Sequence, residues 1–499
     1  MLDGSDKSSQ RHSIAAAKTM ANYLRSEEEI AEYLRQVLEN NDPAELTGAL
    51  DDIAHTRYDT TGLRQPFTTK AFQKPGTDGG HYGPNTTLTH NQQIIVKNQR
   101  ANPLLHTLRF SNFFSFADET EVSFVLDAHS NGTESSFAST ATDRRLSKLL
   151  AVVGANGAGK TNVIKALDFV CWFVTKSFFM EPGRSLAVQP HAFEDSGASH
   201  FELEFEASGK LYRYALALNK ERVLSESLRV KTSRLFSTLF TRQWNAQTGT
   251  ESIKQPHFGL PQKQAEKVKP LASLISMAEQ FGVETAHTIV QALGRRHSNV
   301  GAMGRQAFQA PDVLGAAEFF ADSEAHRARM ATLLHQWDFG LKDVRLETLR
   351  TIREGKEEKV LVPFGIHSDG EREMKLPMLA ESSGTQAAFV LLADLLPILA
   401  EGGTVVFDEL ESDLHPLMLE PILNLFISPK TNPHNAQMVF TCHSVEILNL
   451  LKKGQIMLVE KNERCRSEAW RLSDMEGVRA DDNFYAKYMA GAYGAVPML

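Results

Sequence analysis

The spacing of apolar residues divides the chain into three stretches. In residues 1–64 apolar side chains recur at helical spacing, and Ser26 with Glu29 forms a capping box ahead of the first run. Asp42 with Pro43 begins a second run in the same way, so we predict a small α-helical N-terminal region. From 65 to 103 the periodicity stops and glycine, proline, threonine and asparagine dominate, which indicates a linker.

Strand and helix patterns alternate from residue 104 onwards. This alternation predicts an α/β domain with a mixed central sheet, whose halves, 104–225 and 344–499, flank a mainly helical insertion at 226–343. A wholly apolar run at 149–153 predicts a buried strand, with a helix over 162–175 after it. Other strands are predicted at 108–116 and 121–126, as an N-terminal antiparallel hairpin, and at 201–207, 211–218, 404–407, 438–441 and 455–459.

Length and composition narrow the class of protein. A chain of 499 residues is long enough for two or more cores. Its 61 acidic and 53 basic residues give a net charge of -8, which argues against a strongly basic, non-specific nucleic-acid binder. A local basic groove that binds DNA is still compatible with this charge. The three cysteines are far apart and lack metal-ligand spacing. We expect reduced thiols, no signal sequence, no membrane span and a cytoplasmic protein.

A glycine-rich turn joins the predicted buried strand to the predicted helix. Glycines let backbone N–H groups close around phosphate oxygens, and the helix N-terminus favours the same negative charge. Lys160 would reach the terminal phosphates and the Thr161 hydroxyl would bind Mg²⁺, so we predict ATP and Mg²⁺ as cofactors. An ordinary strand-to-helix turn is the alternative, and the flanking pattern disfavours it. The turn reads Gly154-Ala155-Asn156-Gly157-Ala158-Gly159-Lys160-Thr161.

Two adjacent acids follow the apolar strand at 404–407. Asp408 would hold the magnesium shell, and Glu409 would polarise the water that attacks the terminal phosphate. An acidic surface turn would be the better interpretation of this motif alone. Because the same chain carries the glycine-rich turn, we predict catalytic roles for Lys160 and Glu409.

Two weaker motifs follow the same logic. Ser383 and Gly384 stand at the start of a long apolar helix, where they form either a second anion site or only a capped helix start. His443 follows a short strand, as residues that sense a terminal phosphate do, although a lone histidine is more often structural.

Taken together, these motifs resemble a known family. The order GANGAGKT, ESSGTQ, VVFDELESDLHP and FTCHS resembles the ABC-type P-loop ATPase heads of the SMC, RecF and OLD group, over residues 104–499. The opening LRFSNFFSFADETEVSF and the ending YMAGAYGAVP resemble more narrowly the prokaryotic ATP-binding proteins of the RloA, AbiL and AriA kind. Those proteins are associated with phage defence beside a separate effector gene.

The resemblance implies a composite site. Such heads dimerise around two ATP molecules, so Ser383 and Gly384 would contact the partner's nucleotide. His443 would be the switch histidine and so a third catalytic residue. The loop 411–415 would cross the dimer interface, and Gln189 is the best candidate for the glutamine loop. The signature reads SSGTQ and not LSGGQ, the insertion lacks long heptads, and the tail after the switch histidine is short, so we expect no nuclease domain in this chain. The implied partners are a second copy, in a homodimer or higher oligomer, and a separate nuclease or toxin effector.

The N-terminal region resembles a second family. The stretch MANYLRSEEEIAEYLRQVLENNDPAELTGALDDIAHTR is similar to HigA-like addiction-module antidotes, but the DNA-reading helix pair that follows in that family is shortened here. A docking or dimerisation helix pair is the alternative. The leading hypothesis is an ATP-gated dimeric switch in a phage-defence module; the others are an SMC/RecF-like DNA repair ATPase that clamps DNA and a DNA-binding regulator with an ATP-sensing module.

Overall fold

The computed structural model describes residues 103–127, 133–181, 186, 188–194, 197–301, 304–337, 339–353 and 356–497. The predicted N-terminal helices and all of the linker except residue 103 lie outside these residues. The described chain forms two compact units. The smaller comprises Phe308–Ala393, and the larger comprises the residues before Phe308 and from Asp394 onwards.

A six-stranded sheet forms the centre of the larger unit. It has the order β11-β17-β18-β5-β19-β20, and all neighbours are parallel except β19 and β20. Every residue of β5 is buried, as its continuous apolar sequence predicts for a strand covered on both faces. The strands are β5 (Leu149–Val153), β11 (Arg296–Ser298), β17 (Thr404–Phe407), β18 (Gln437–Thr441), β19 (Ile456–Lys461) and β20 (Ser467–Arg471).

A seven-stranded antiparallel sheet lies in the same unit, in the order β10-β9-β8-β7-β6-β1-β2. The pairing of β1 with β2 confirms the predicted hairpin. The strands are β1 (Leu104–Ser111), β2 (Thr120–Ser123), β6 (Ser199–Ala207), β7 (Lys210–Leu218), β8 (Val223–Lys231), β9 (Phe236–Asn245) and β10 (Thr250–Lys254); two small pairs join β3 (Ser136–Ala138) to β4 (Arg145–Ser147) and β12 (Val300–Gly301) to β13 (Gly304–Arg305).

Helix α1 (Lys160–Lys176) is the main helix against the central sheet. Its apolar residues recur every three or four positions, and Val163, Leu167 and Val170 belong to the same buried core as Val152 and Val439 of the sheet. The other helices of the larger unit are α2 (Gln262–Ala265), α3 (Leu274–Gln280), α4 (Glu284–Gly294), α8 (Leu419–Ile427) and α9 (Phe484–Met489).

The smaller unit combines two helices with a three-stranded antiparallel sheet and the start of a long helix. These elements are α5 (Ala310–Asp322), α6 (Glu324–Gln336), β14 (Asp343–Arg353), β15 (Lys356–Ser368), β16 (Glu373–Pro377) and α7 (Ser383–Glu401), which ends in the larger unit. By length and composition alone, α7 is apolar enough to cross a membrane, with a mean hydropathy of 1.5, but half of that stretch is buried in the protein. A buried core helix has the same composition.

Two stretches differ from the sequence expectation. The strand predicted over 108–116 ends at Ser111, because Asn112 and Phe114 have φ angles of 51° and 50°, which turn the chain. Residues 223–254 form three strands within the stretch expected to be mainly helical, and helices begin only at Gln262. In strand β8 the side chains of Glu226, Leu228 and Val230 are buried, whereas Arg229 between the last two is exposed, so the side chains follow the two-residue period of a strand and not helical spacing.

Candidate nucleotide site

The glycine-rich turn connects the end of β5 to the first residue of α1. A Cβ atom on Gly154 would lie 2.0 Å from the carbonyl oxygen of Val459 in β19, so no side chain fits there. Gly159 has φ 114°, and a Cβ atom on it would lie 2.5 Å from the Ser467 hydroxyl. The turn therefore requires glycine at both positions to bring its backbone close to the neighbouring strands.

The positive end of α1 faces this turn. The helix is 17 residues long, and no side chain caps its N-terminus, so its dipole and its first N–H groups are available to an anion. Lys160 is 7% exposed, and its ammonium group donates to the carbonyl oxygens of Gly154 at 2.9 Å and Ala155 at 3.1 Å. Burial lowers the pKa of Lys160, while the carboxylates of Asp408 and Glu409 act in the opposite direction.

Asp408 joins the acidic motif to the glycine-rich turn. It directly follows β17 and is 3% exposed. Its Oδ2 accepts a hydrogen bond from the Thr161 hydroxyl at 2.8 Å, and its Oδ1 accepts one from the Thr441 hydroxyl at 2.6 Å. A neighbouring hydroxyl and carboxylate suit Mg²⁺, which takes few protein oxygens and completes its shell with phosphate and water. The described residues include no group of three or more His, Cys, Asp or Glu side chains that could hold a metal without such added ligands.

Asn299 fixes the backbone of Asp408. Its side chain makes both bonds: Nδ2 donates to the backbone carbonyl oxygen of Asp408 at 3.0 Å, and Oδ1 accepts from the backbone N–H of Asp408 at 2.7 Å. Asn299 follows β11, which pairs in parallel with β17, so both residues reach the same edge of the sheet. The sequence analysis missed Asn299 because β11 is a three-residue strand, Arg296–Ser298, without an apolar pattern.

Glu409 lies beside His443 at the mouth of the site. Its φ angle of 52° is rare for a residue with a side chain, and its N–H donates to the Thr441 hydroxyl at 2.7 Å. The Glu409 Oε1 lies 3.5 Å from His443 Nε2, while Oε2 accepts from the Ser412 hydroxyl at 3.2 Å and lies 3.3 Å from Nη1 of Arg305. Sequence patterns gave no signal for Arg305; Thr441 could have been found as the polar end of an apolar strand.

These side chains surround one pocket of about 380 Å³. The glycine-rich turn, both acids and the histidine therefore lie together in space. Gly154, Ala155 and Ala158 shape the turn without lining the pocket. The lining residues are Asn156, Gly157, Gly159, Lys160, Thr161, Asn162, Asp408, Glu409 and His443.

Ser383 and Gly384 lie in the smaller unit, at the beginning of α7. Ser382, the residue before the helix, accepts the Thr385 N–H at 3.2 Å, and Ser383 itself is exposed. The motif is therefore a capped helix start that presents an exposed serine. Its contact with a second copy's nucleotide stays a prediction.

Two further segments brace the site, and the segment around Gln189 lies apart from the pocket lining. In the loop 411–415, Glu411 accepts the backbone N–H of His443. Gln189, the candidate for the glutamine loop, has an exposed side chain and does not line the pocket; its carbonyl oxygen accepts the Phe114 N–H at 2.6 Å. In the C-terminal segment the Ala495 carbonyl accepts the N–H of Ala155 at 3.1 Å, a brace on the turn that sequence patterns did not reveal.

Three of the solved structures that match this chain are SMC heads, each with a TM-score below 0.5. One is described as an SmcHead bound to the C-winged helix domain of ScpA; it is 13% identical, covers 73% of this chain and 96% of that chain, and has a TM-score of 0.39. A Pyrococcus furiosus Smc head with an extended coiled coil, bound to the C-terminal domain of ScpA, is 13% identical over 74% and 97%, with a TM-score of 0.37. A Pyrococcus yayanosii Smc head with a coiled coil and joint is 10% identical over 78% and 99%, with a TM-score of 0.38.

Sequence models of known families match both parts of the chain. The model "Probable addiction module antidote protein" matches residues 16–74, which confirms the resemblance stated for the N-terminus. No curated protein matches. The model "AAA domain, putative AbiEii toxin, Type IV TA system" matches residues 149–449, more than half of the chain and all of the nucleotide pocket. The chain therefore belongs to this family, and it is a P-loop ATPase of the AAA type.

Proposed function

We propose that this protein binds and hydrolyses ATP with Mg²⁺ in the pocket, as a dimeric switch that controls a separate effector in anti-phage defence. The observation that carries the proposal is the 2.8 Å hydrogen bond from Thr161 to Asp408. It brings the phosphate-binding turn and the acidic strand end into one site, although the two residues are 247 positions apart in the chain.

Binding would use the backbone of the turn and the Lys160 ammonium group. Lys160 now donates to two carbonyl oxygens of the same turn, and terminal phosphates offer it stronger, charged acceptors. Thr161 and Asp408 would hold Mg²⁺, which supplies positive charge to the phosphate oxygens during transfer. The buried carboxylate and the hydroxyl are already adjacent, so little rearrangement is needed.

Hydrolysis would depend on Glu409. Its Oε1 points towards His443 and the pocket, where a carboxylate can accept a proton from the attacking water. His443 would hold that water or the terminal phosphate with its ring N–H. Thr441 holds both acids through one hydroxyl, which fixes the base relative to the metal ligand.

Other observations support the proposed dimer and the proposed effector. Ser383 is exposed at a helix N-terminus, which suits contact with a second copy's phosphate, and the loop 411–415 leads directly from the site to the surface. The match to an antidote family together with the toxin-system family supports a toxin-like partner. A nuclease as the effector and a cytoplasmic location are further parts of the proposal. Co-purification with the product of the neighbouring gene is the expected result, and ATP-dependent DNA clamping without such a partner would contradict it.

ATP binding by two lysine variants tests the assignment of the site. We expect Lys160→Ala to abolish ATP binding, because it removes the charge that opposes the terminal phosphates. Lys176→Ala, at the exposed far end of the same helix, is the matched control and should bind and hydrolyse like the wild type. Unchanged ATP affinity in Lys160→Ala, measured by titration calorimetry, would refute the site assignment.

A further inference from the structure

Arg305 lies on a short hairpin beside the nucleotide pocket. Strand β13 pairs with β12, so that Arg305 faces Val300, and the Gln306 N–H donates to the Asn299 carbonyl oxygen at 2.7 Å. Asn299 in turn holds the backbone of Asp408. Hydrogen bonds through Asn299 therefore connect the hairpin to Asp408 at the end of β17.

The Arg305 guanidinium joins two carboxylates. Its Nη1 lies 3.3 Å from Glu409 Oε2, and its Nη2 lies 3.4 Å from Asp413 Oδ2. Both acids have left-handed backbone conformations, with φ angles of 52° and 65°. Such conformations are uncommon for residues with side chains and persist where surrounding contacts hold them. A guanidinium has two separated donor nitrogens, so it can hold two carboxylates at once, which an ammonium group does less well.

The two carboxylate oxygens of Glu409 have different partners. Oε2 contacts Arg305 and accepts from the Ser412 hydroxyl. Oε1 faces His443, and its distance to Nε2 of that ring is 3.5 Å. A base that activates water needs one oxygen free and the carboxylate plane fixed. Asp413 belongs to the loop 411–415, so the same guanidinium links this loop to the base.

We propose that Arg305 is a positioning residue for ATP hydrolysis, which holds Glu409 Oε2 and couples the base to the loop 411–415 through Asp413. The inference rests on the proposed function, since it requires Glu409 to activate water. If Arg305 were only a member of a surface ion pair, its replacement would leave the rate of ATP hydrolysis unchanged. All three side chains are partly exposed, at 27%, 36% and 37%, and ion pairs that exposed contribute little to stability.

The test is the steady-state kinetics of ATP hydrolysis in Arg305→Ala, Arg305→Lys and Asp413→Ala. For Arg305→Ala we expect kcat to fall about tenfold to a hundredfold while ATP affinity changes less than about threefold, because a misplaced base slows chemistry but not binding. Arg305→Lys should recover part of the rate, and Asp413→Ala should lose less. Arg345→Ala removes another ion-paired arginine, 3.0 Å from Glu373 in the smaller unit, and should leave kcat unchanged.

Two comparisons separate the possible failures. In a Glu409→Gln background hydrolysis is already lost, and Arg305→Ala should change ATP affinity there less than about threefold, because Arg305 acts on the chemical step and not on binding. An Arg305→Ala variant that hydrolyses ATP as fast as the wild type, or that loses affinity as much as rate, would overturn the positioning role. A wild type without any ATP turnover would instead contradict the proposed function.

Discussion

Replacement of Thr441 by valine tests the construction of the site most sharply. Thr441 is fully buried at the end of β18, and its hydroxyl serves both acids. It donates to Asp408 Oδ1 at 2.6 Å and accepts the Glu409 N–H at 2.7 Å. Valine has nearly the same shape but no hydroxyl, so the change would leave a buried carboxylate oxygen and a backbone N–H without this partner.

The expected cost follows from these two bonds. A hydrogen bond to a charged group contributes about 1.5–3 kcal/mol and a neutral one about 1 kcal/mol, so Thr441→Val should lose about 2.5–4 kcal/mol of unfolding free energy. Thr441→Ser is the matched control: it keeps the hydroxyl and removes one buried methyl group, for about 1 kcal/mol.

The assay is urea unfolding of both variants together with ATP turnover. We expect the valine variant to be about 1.5–3 kcal/mol less stable than the serine variant, with equal slopes of free energy against urea. The valine variant should lose hydrolysis and the serine variant keep it. Equal stability of the two variants would show that the hydroxyl does not support the acids as described.

Three further outcomes are expected. Gly154→Ala should prevent nucleotide binding because its Cβ atom would lie 2.0 Å from a backbone oxygen, whereas Gly209→Ala, outside the pocket and with open space around it, should cost only about 1–2 kcal/mol of backbone strain; titration with a fluorescent nucleotide distinguishes them. Burial would raise the pKa of Glu206, but hydrogen bonds from His106, Ser139 and Thr140 lower it to about 2. Since the folded pKa lies below the unfolded value, up to about 3 kcal/mol of stability is present above pH about 4.5 and is lost as pH falls towards 2; Glu206→Gln should flatten this dependence in acid unfolding curves. Glu460→Ala removes the carboxylate that accepts the Ala495 N–H at 2.9 Å and should weaken ATP affinity about fivefold through the braced turn, whereas unchanged affinity would show that the brace is dispensable.

The parts of the site that could be predicted are local in sequence. The glycine-rich turn follows directly after the apolar run at 149–153, and Asp408 follows directly after Phe407. Each motif combines its chemistry with a strand whose apolar sequence is recognisable by itself. The carboxyl ends of parallel strands share one edge of a sheet, and this explains why the two motifs meet in the folded protein.

The parts that could not be predicted depend on pairing between distant segments. Asn299 bonds to Asp408 across 109 positions, and the strand that delivers it becomes a strand only by pairing with β17. Arg305 reaches Asp413 across 108 positions from a two-residue strand. No periodicity in so short a segment could reveal either contact. The strands over 223–254 were missed for another reason, since half-exposed strands carry a weaker apolar signal than buried ones.

The most direct test of the central claim is the mass of the Glu409→Gln variant in solution, measured by light scattering with and without ATP. Removing the base should preserve ATP binding and stop hydrolysis, so the account predicts that ATP converts the variant from monomer to a stable dimer. Ser383→Arg in the same background should bind ATP and remain monomeric, because the large cation blocks the exposed helix start. A Glu409→Gln protein that binds ATP and keeps the same mass, or that hydrolyses ATP at the wild-type rate, would contradict the account.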